Sequence, residues 1–189
     1  MPERKWIDGL VTILVMVLTA GISIGEELRS GLQVGERPSP FNVRDCTGPA
    51  AGKTLCYYCR YGSRPVVSIF TWQLNDELVK LVKEIDNTVS KNREQRMAAF
   101  VVYLADDVFA AEKQLKRIAE EQGLRRTPLT IFRDTQSVLR ENYAIDPDAA
   151  VTVMMWDGGK VEVNRVFGEA SFEPSTIESL IQDSSKILD

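Results

Sequence analysis

The sequence predicts a single α/β domain whose central mixed sheet is flanked by helices. Three observations carry this expectation. Residues 65–71, 97–104 and 151–156 form long, nearly continuous apolar runs, the first of them rich in β-branched residues, the pattern of strands buried on both faces. The first two runs are each followed by a stretch with apolar residues at helical spacing. The third leads through Asp157-Gly158-Gly159-Lys160 into an alternating segment and so reads as an antiparallel hairpin.

Taken in order, the chain begins with Arg4 and Lys5 followed by an almost wholly apolar run from residue 10 to 25. The small residues Ser23 and Gly25 precede Glu26-Glu27, and this is the pattern of a cleavable signal segment over residues 1–25. Export to the periplasm or the cell exterior follows; an uncleaved segment would instead anchor the protein to a membrane. Residues 26–38, polar with Gly and Pro, read as a flexible lead-in to a domain spanning 39–189.

Residues 41–45 alternate as a short strand, 47–52 are turn chemistry, and 54–56 return as the partner strand of an N-terminal β-hairpin. After the first buried strand, Leu74, Leu78, Leu81, Val82, Ile85 and Val89 keep helical spacing, with Asn75 or Asp76 as N-cap. Asp106 and Asp107 open the next helix, which turns Ala111, Leu115, Ile118 and Ala119 inward and stops at Gly123. A short strand over 129–132 and a brief helix around Val138, Leu139 and Tyr143 come before the closing hairpin. The final helix carries Ile177, Leu180, Ile181, Ile187 and Leu188, with Ser175 and Glu178 as a capping box.

Composition excludes several functions. The 189 residues carry a net charge of −4, which gives no basic footprint for nucleic acid. There is no histidine, so Ser–His–Asp and Cys–His nucleophiles and most zinc hydrolase sites cannot be built. No glycine-rich phosphate loop follows a strand, and no cofactor is expected. The acid pairs Asp106-Asp107 and Asp146/Asp148 read as helix caps and turns.

The chemistry concentrates on Cys46, Cys56 and Cys59. Cys56-Tyr57-Tyr58-Cys59 is a CxxC, able to close into a small disulfide ring and reopen by exchange. Arg60 and Arg64 follow and favour thiolate if they turn toward the sulfurs, while Tyr57, Tyr58 and Tyr61 suggest an apolar shelf for a partner peptide. Cys46 is a candidate relay or disulfide partner. Four readings stay open: a redox-active pair, a structural disulfide, a metal site on all three cysteines with a ligand such as Asp45, or inert thiols.

The order of elements resembles the thioredoxin-like superfamily, and its details look most like the peroxiredoxin and redoxin branch. Val34-Gly35-Glu36-Arg37-Pro38-Ser39-Pro40-Phe41-Asn42-Val43-Arg44-Asp45 resembles that branch's opening stretch, and residues 129–143 its inserted strand and helix. The resemblance implies a thioredoxin-like fold and activity on protein thiols or disulfides. It also implies a reactive cysteine just after the first central strand and a cis-proline before the third. Here those positions read Thr71-Trp72-Gln73 and Ala149-Ala150-Val151, so peroxidase chemistry is not expected. Two functions follow: thiol–disulfide exchange through Cys56 and Cys59, or a catalytically silent module that binds an unknown protein partner and whose cysteines form a structural disulfide.

Overall fold

The computed structural model describes residues 28–132, 138–169 and 173–188, so the expected signal segment over residues 1–25 lies outside the described residues. Its frame is three strands, β3 (Val66–Thr71), β4 (Ala98–Leu104) and β6 (Val151–Asp157), nearly every residue of which is buried. A run such as Val-Val-Ser-Ile-Phe-Thr has no polar face to offer water, so it is stable only with packing on both sides. β3 and β4 are parallel, in a register that pairs Val66 with Ala98 and Thr71 with Tyr103. β6 runs antiparallel to β3 and continues through a two-glycine turn into β7 (Lys160–Phe167).

The N-terminal hairpin of β1 (Val43–Asp45) and β2 (Thr54–Leu55) joins the other edge through β5 (Leu129–Phe132). The seven-stranded mixed sheet has the order β2-β1-β5-β4-β3-β6-β7. The expected sheet, hairpins and inserted strand are all present.

Helices α2 (Asp76–Lys91) and α3 (Val108–Gln122) make successive crossovers in one direction, β3 to β4 to β5, and right-handed connections put both on one face. Asn75 caps α2 by accepting from Leu78 N at 2.9 Å, and Asp107 caps α3. Helix α5 (Pro174–Asp183) joins them, so Leu81, Ile85, Leu115 and Leu180 pack on Ile69, Val101 and Val153. The expected capping box is absent. Glu173 is the N-cap and makes no side-chain cap bond; Pro174, whose fixed φ suits the first helical position, starts the helix and leaves Ser175 inside its first turn.

The opposite face is aromatic: Phe70, Phe100 and Trp156 are buried there together with Phe41 from the N-terminal segment and Tyr143 from α4 (Val138–Tyr143). Residues 28–36, expected as loose, are strapped across this side. Asn164 Nδ2 donates to Ser30 O and Leu32 O, the Ser30 and Thr152 hydroxyls are 2.7 Å apart, and Gly35 and Glu36 bridge Val161 through main-chain bonds. A Cβ on Gly31 would stand 2.8 Å from Thr152 Cγ2, so only glycine lets the strap lie so close.

A buried carboxylate fixes the loop before β5. Asp86 accepts the main-chain N–H groups of Arg125, Arg126 and Thr127 at 2.7–3.2 Å, which supplies the partners that burial of a charge requires.

Candidate functional site

The CxxC folds as part of a one-turn helix that the periodicity gave no sign of. Cys56 has extended backbone and caps α1 (Tyr57–Tyr61), its Sγ accepting from Cys59 N at 3.0 Å. Gly62, at φ +61°, ends the helix and returns its N–H to Tyr58 O at 2.8 Å. Five residues do not make a stable helix alone, so tertiary contacts must hold this one.

Its tyrosines do so. Tyr57 is wholly buried and stacks on Phe100 with ring centroids 5.3 Å apart. Tyr58 meets Trp156 edge-on at 6.2 Å, and Tyr61 packs on Tyr57 and Phe100. The shelf expected for a partner peptide is thus largely turned inward, because each ring removes more apolar surface from water against the sheet than it would beside it.

Asp45 anchors the arrangement. It is fully buried at the end of β1 and accepts from Gly48 N and Ala50 N, both at 2.7 Å, and from the Tyr57 hydroxyl at 3.0 Å. Burial, and then the Asp45 charge, push the Tyr57 phenol well above its ordinary range, so it stays a donor. A Cβ on Gly48 would collide with that hydroxyl and stand 2.8 Å from both Asp45 carboxylate oxygens. The N-terminal hairpin is therefore tied to the first residue after Cys56 through a three-donor carboxylate.

With Tyr57 pinned beneath, the cysteines are left outward. Cys56 and Cys59 form a disulfide with Cα atoms 5.2 Å apart; Cys56 is half-buried and Cys59 exposed. Arg60 follows on α1, exposed, and Arg64 lies just beyond Gly62, half-buried. Neither guanidinium is hydrogen-bonded to a sulfur among the described residues. Cys46 is not brought to the pair. Its free thiol is buried in the cluster on the other face of the sheet, 3.8 Å from Arg44 O. Burial first, then the Glu112 and Asp45 charges, push it up to about 12. This placement also removes the three-cysteine metal reading among the described residues: Cys46 lies in the cluster on the opposite face of the sheet from Tyr57, and the carboxylate of Asp45 is already committed to its three donors.

The position at which the resemblance implies a reactive cysteine lies at the far end of β3. Tyr58 touches Trp156, the partner of Val66 at the strand's start, whereas Thr71 closes its end, roughly 17 Å further on at ordinary strand rise. Thr71 is fully buried, its Oγ1 lying 3.1 Å from Ala150 O and 2.8 Å from Gln73 O. Trp72 N donates to Ala150 O at 3.3 Å. The open cleft of about 590 Å³ beyond, lined by Trp72, Gln73, Pro147, Asp148, Ala150 and Glu169 among others, contains no thiol, and no described peptide bond is cis.

No family model matches this sequence, and no curated protein does. Solved structures do. Peroxidoxin BcpB from Mycobacterium tuberculosis is similar with a TM-score of 0.61 and 16% identity, over 84% of this chain and 99% of that one. A peroxiredoxin-like protein from Aquifex aeolicus gives 0.58 and 15%, over 82% and 88%. The thioredoxin domain of a thiol-disulfide oxidoreductase from Bacteroides vulgatus gives 0.57 and 14%, over 79% and 99%. At identities this low the match shows a shared fold alone: the chain has a thioredoxin-like fold, and its cysteines must be argued from their own geometry.

Proposed function

We propose that this thioredoxin-fold chain is an exported thiol–disulfide exchange protein that works through Cys56 and Cys59. The observation that carries the reading is a closed CxxC disulfide at the surface, held to a rigid sheet by the residue between its cysteines. A bridge serving only stability would add little here, since a loop spanning three residues restrains the unfolded chain least. The apolar run over residues 10–25 supports export, where such a pair can stay oxidised.

In the reducing direction the Cys56 thiolate attacks a partner disulfide. One new S–S bond forms, the partner's bond breaks, and one partner sulfur leaves as thiolate. The Cys59 thiolate then attacks Cys56 Sγ and releases the second partner sulfur. Two electrons pass to the partner, whose thiolates take up the two protons lost by the pair; the oxidising direction is the reverse. The Cys59 N–H already directed at Cys56 Sγ stabilises negative charge on that sulfur.

Trapping and potential measurements test this. The Cys59→Ser variant should accumulate a mixed disulfide on Cys56, and the pair should equilibrate with glutathione buffers. A reduction potential far below about −300 mV, with no trapped adduct from either single variant, would mark a structural bridge. A silent binding module is the second reading, favoured by the thiol-free cleft at Thr71. It predicts that Cys56→Ser/Cys59→Ser lowers stability while no insulin reduction is seen even with the native pair. A mature N-terminus near residue 26 tests export, and an intact Met1 or Pro2 overturns cleavage.

A further inference from the structure

We propose that the pair selects partner cysteines flanked by acidic residues, with Arg60 and Arg64 as the selecting groups; this rests on the exchange reading above. The chain as a whole is acidic, with a net charge of −4, yet residues 53–64 contain Lys53, Arg60 and Arg64 and no Asp or Glu. Three described arginines are ion-paired, Arg44 with Glu112 at 2.7 Å, Arg165 with Asp183 at 2.8 Å and Arg117 with Glu121 at 3.9 Å, and several others, such as Arg93 and Arg125, are not. Arg60 and Arg64 have no ion pair among the described residues. Arg60 is exposed on α1 directly after Cys59, and Arg64 lies two residues beyond the Gly62 that ends the helix.

The nearby carboxylates do not cancel them. Asp45 is buried and its oxygens are taken by Gly48, Ala50 and Tyr57. The hairpin turn reaches this side where Gly158 N donates to Ser63 O, but it brings Asp157 and Lys160 as facing partners of opposite charge. What remains is a local excess of positive charge beside an exposed disulfide. Such a field raises the encounter rate with a negatively charged partner and opposes a positive one, and salt screens it over about 10 Å at 0.1 M.

The test uses two synthetic peptide disulfides that differ only in having Glu or Lys on both sides of the cysteine. Each is reacted with the pre-reduced protein at low and at high salt. The Glu peptide should exchange about tenfold faster at low salt, and the ratio should fall toward one at high salt. Arg60→Gln/Arg64→Gln should bring the Glu-peptide rate down to that of the Lys peptide, while Arg60→Lys/Arg64→Lys, which keeps the charge, should preserve the preference. Equal rates for the two peptides with the unaltered protein overturn the selectivity alone. A preference that survives the Gln substitutions overturns the assignment to Arg60 and Arg64. Exchange with neither peptide overturns the exchange reading together with the selectivity.

Discussion

The two ends of β3 invite comparison. At its start, a one-turn helix lays three tyrosines on the aromatic face of the sheet and leaves a disulfide outside. At its end, where the longer and better-capped α2 begins, Thr71 turns its hydroxyl into main-chain hydrogen bonds and the cleft beyond holds no thiol. The stronger structural element thus has no sulfur and the weaker one has two. A sheet buried on both faces can support a reactive group at either end, because what a site needs from it is rigidity.

The sharpest way to break this comparison is to disable each end. Cys56→Ser/Cys59→Ser should abolish disulfide exchange, whereas Trp72→Ala at the cleft should leave the rate within about twofold; comparable losses would return the chemistry to the cleft. The next largest effect is expected on stability. Asp45→Ala strips the partners from Gly48 N, Ala50 N and the Tyr57 hydroxyl and should cost about 3 kcal/mol or more by denaturant unfolding. Gly48→Ala forces a Cβ into the same contact and should cost roughly 1–3 kcal/mol, as overpacking does. Tyr57→Phe keeps the ring on Phe100 and loses a single bond, so about 1 to 2 kcal/mol is expected.

A last comparison separates the two cysteine environments by pH. Burial raises Cys46 from 9.0 to about 12, and burial likewise raises Tyr61 from 10.0 to about 12. The native state therefore keeps protons that the unfolded chain releases. Their contribution is fully present below about pH 9 and is lost as pH rises toward 12. Stability measured across that window should decline. At neutral pH, alkylation of the reduced native protein should label Cys56 and Cys59 and spare Cys46; labelling of Cys46 at a similar rate would contradict its burial.

The elements visible in the sequence were those with a period or a cap. Helix α2 shows its stripe from Leu78 to Val89 and its Asn75 cap, and α3 shows Asp107 and Gly123. The anchor of the candidate site was harder to read. Asp45 looked like a polar strand residue or a spare metal ligand, although the spacing of Asp45 and Gly48 is a turn signal that pointed to its bonds with main-chain N–H groups. Residues 28–36 have the composition of a loose segment and are held by groups more than a hundred positions away, Thr152 and Asn164.

The sequence by itself determined the layers: hydrophobic periodicity is local, and three runs with no polar face admit only a sheet covered on both sides. It also determined that a CxxC exists and that the Thr71 position has no cysteine. Only the tertiary structure decided that Tyr57 turns inward and the sulfurs outward, and that Cys46 goes to the opposite face. A five-residue helix has too few hydrogen bonds to choose its own orientation, so Phe100, Trp156 and Asp45, all distant in sequence or in a different element, choose it.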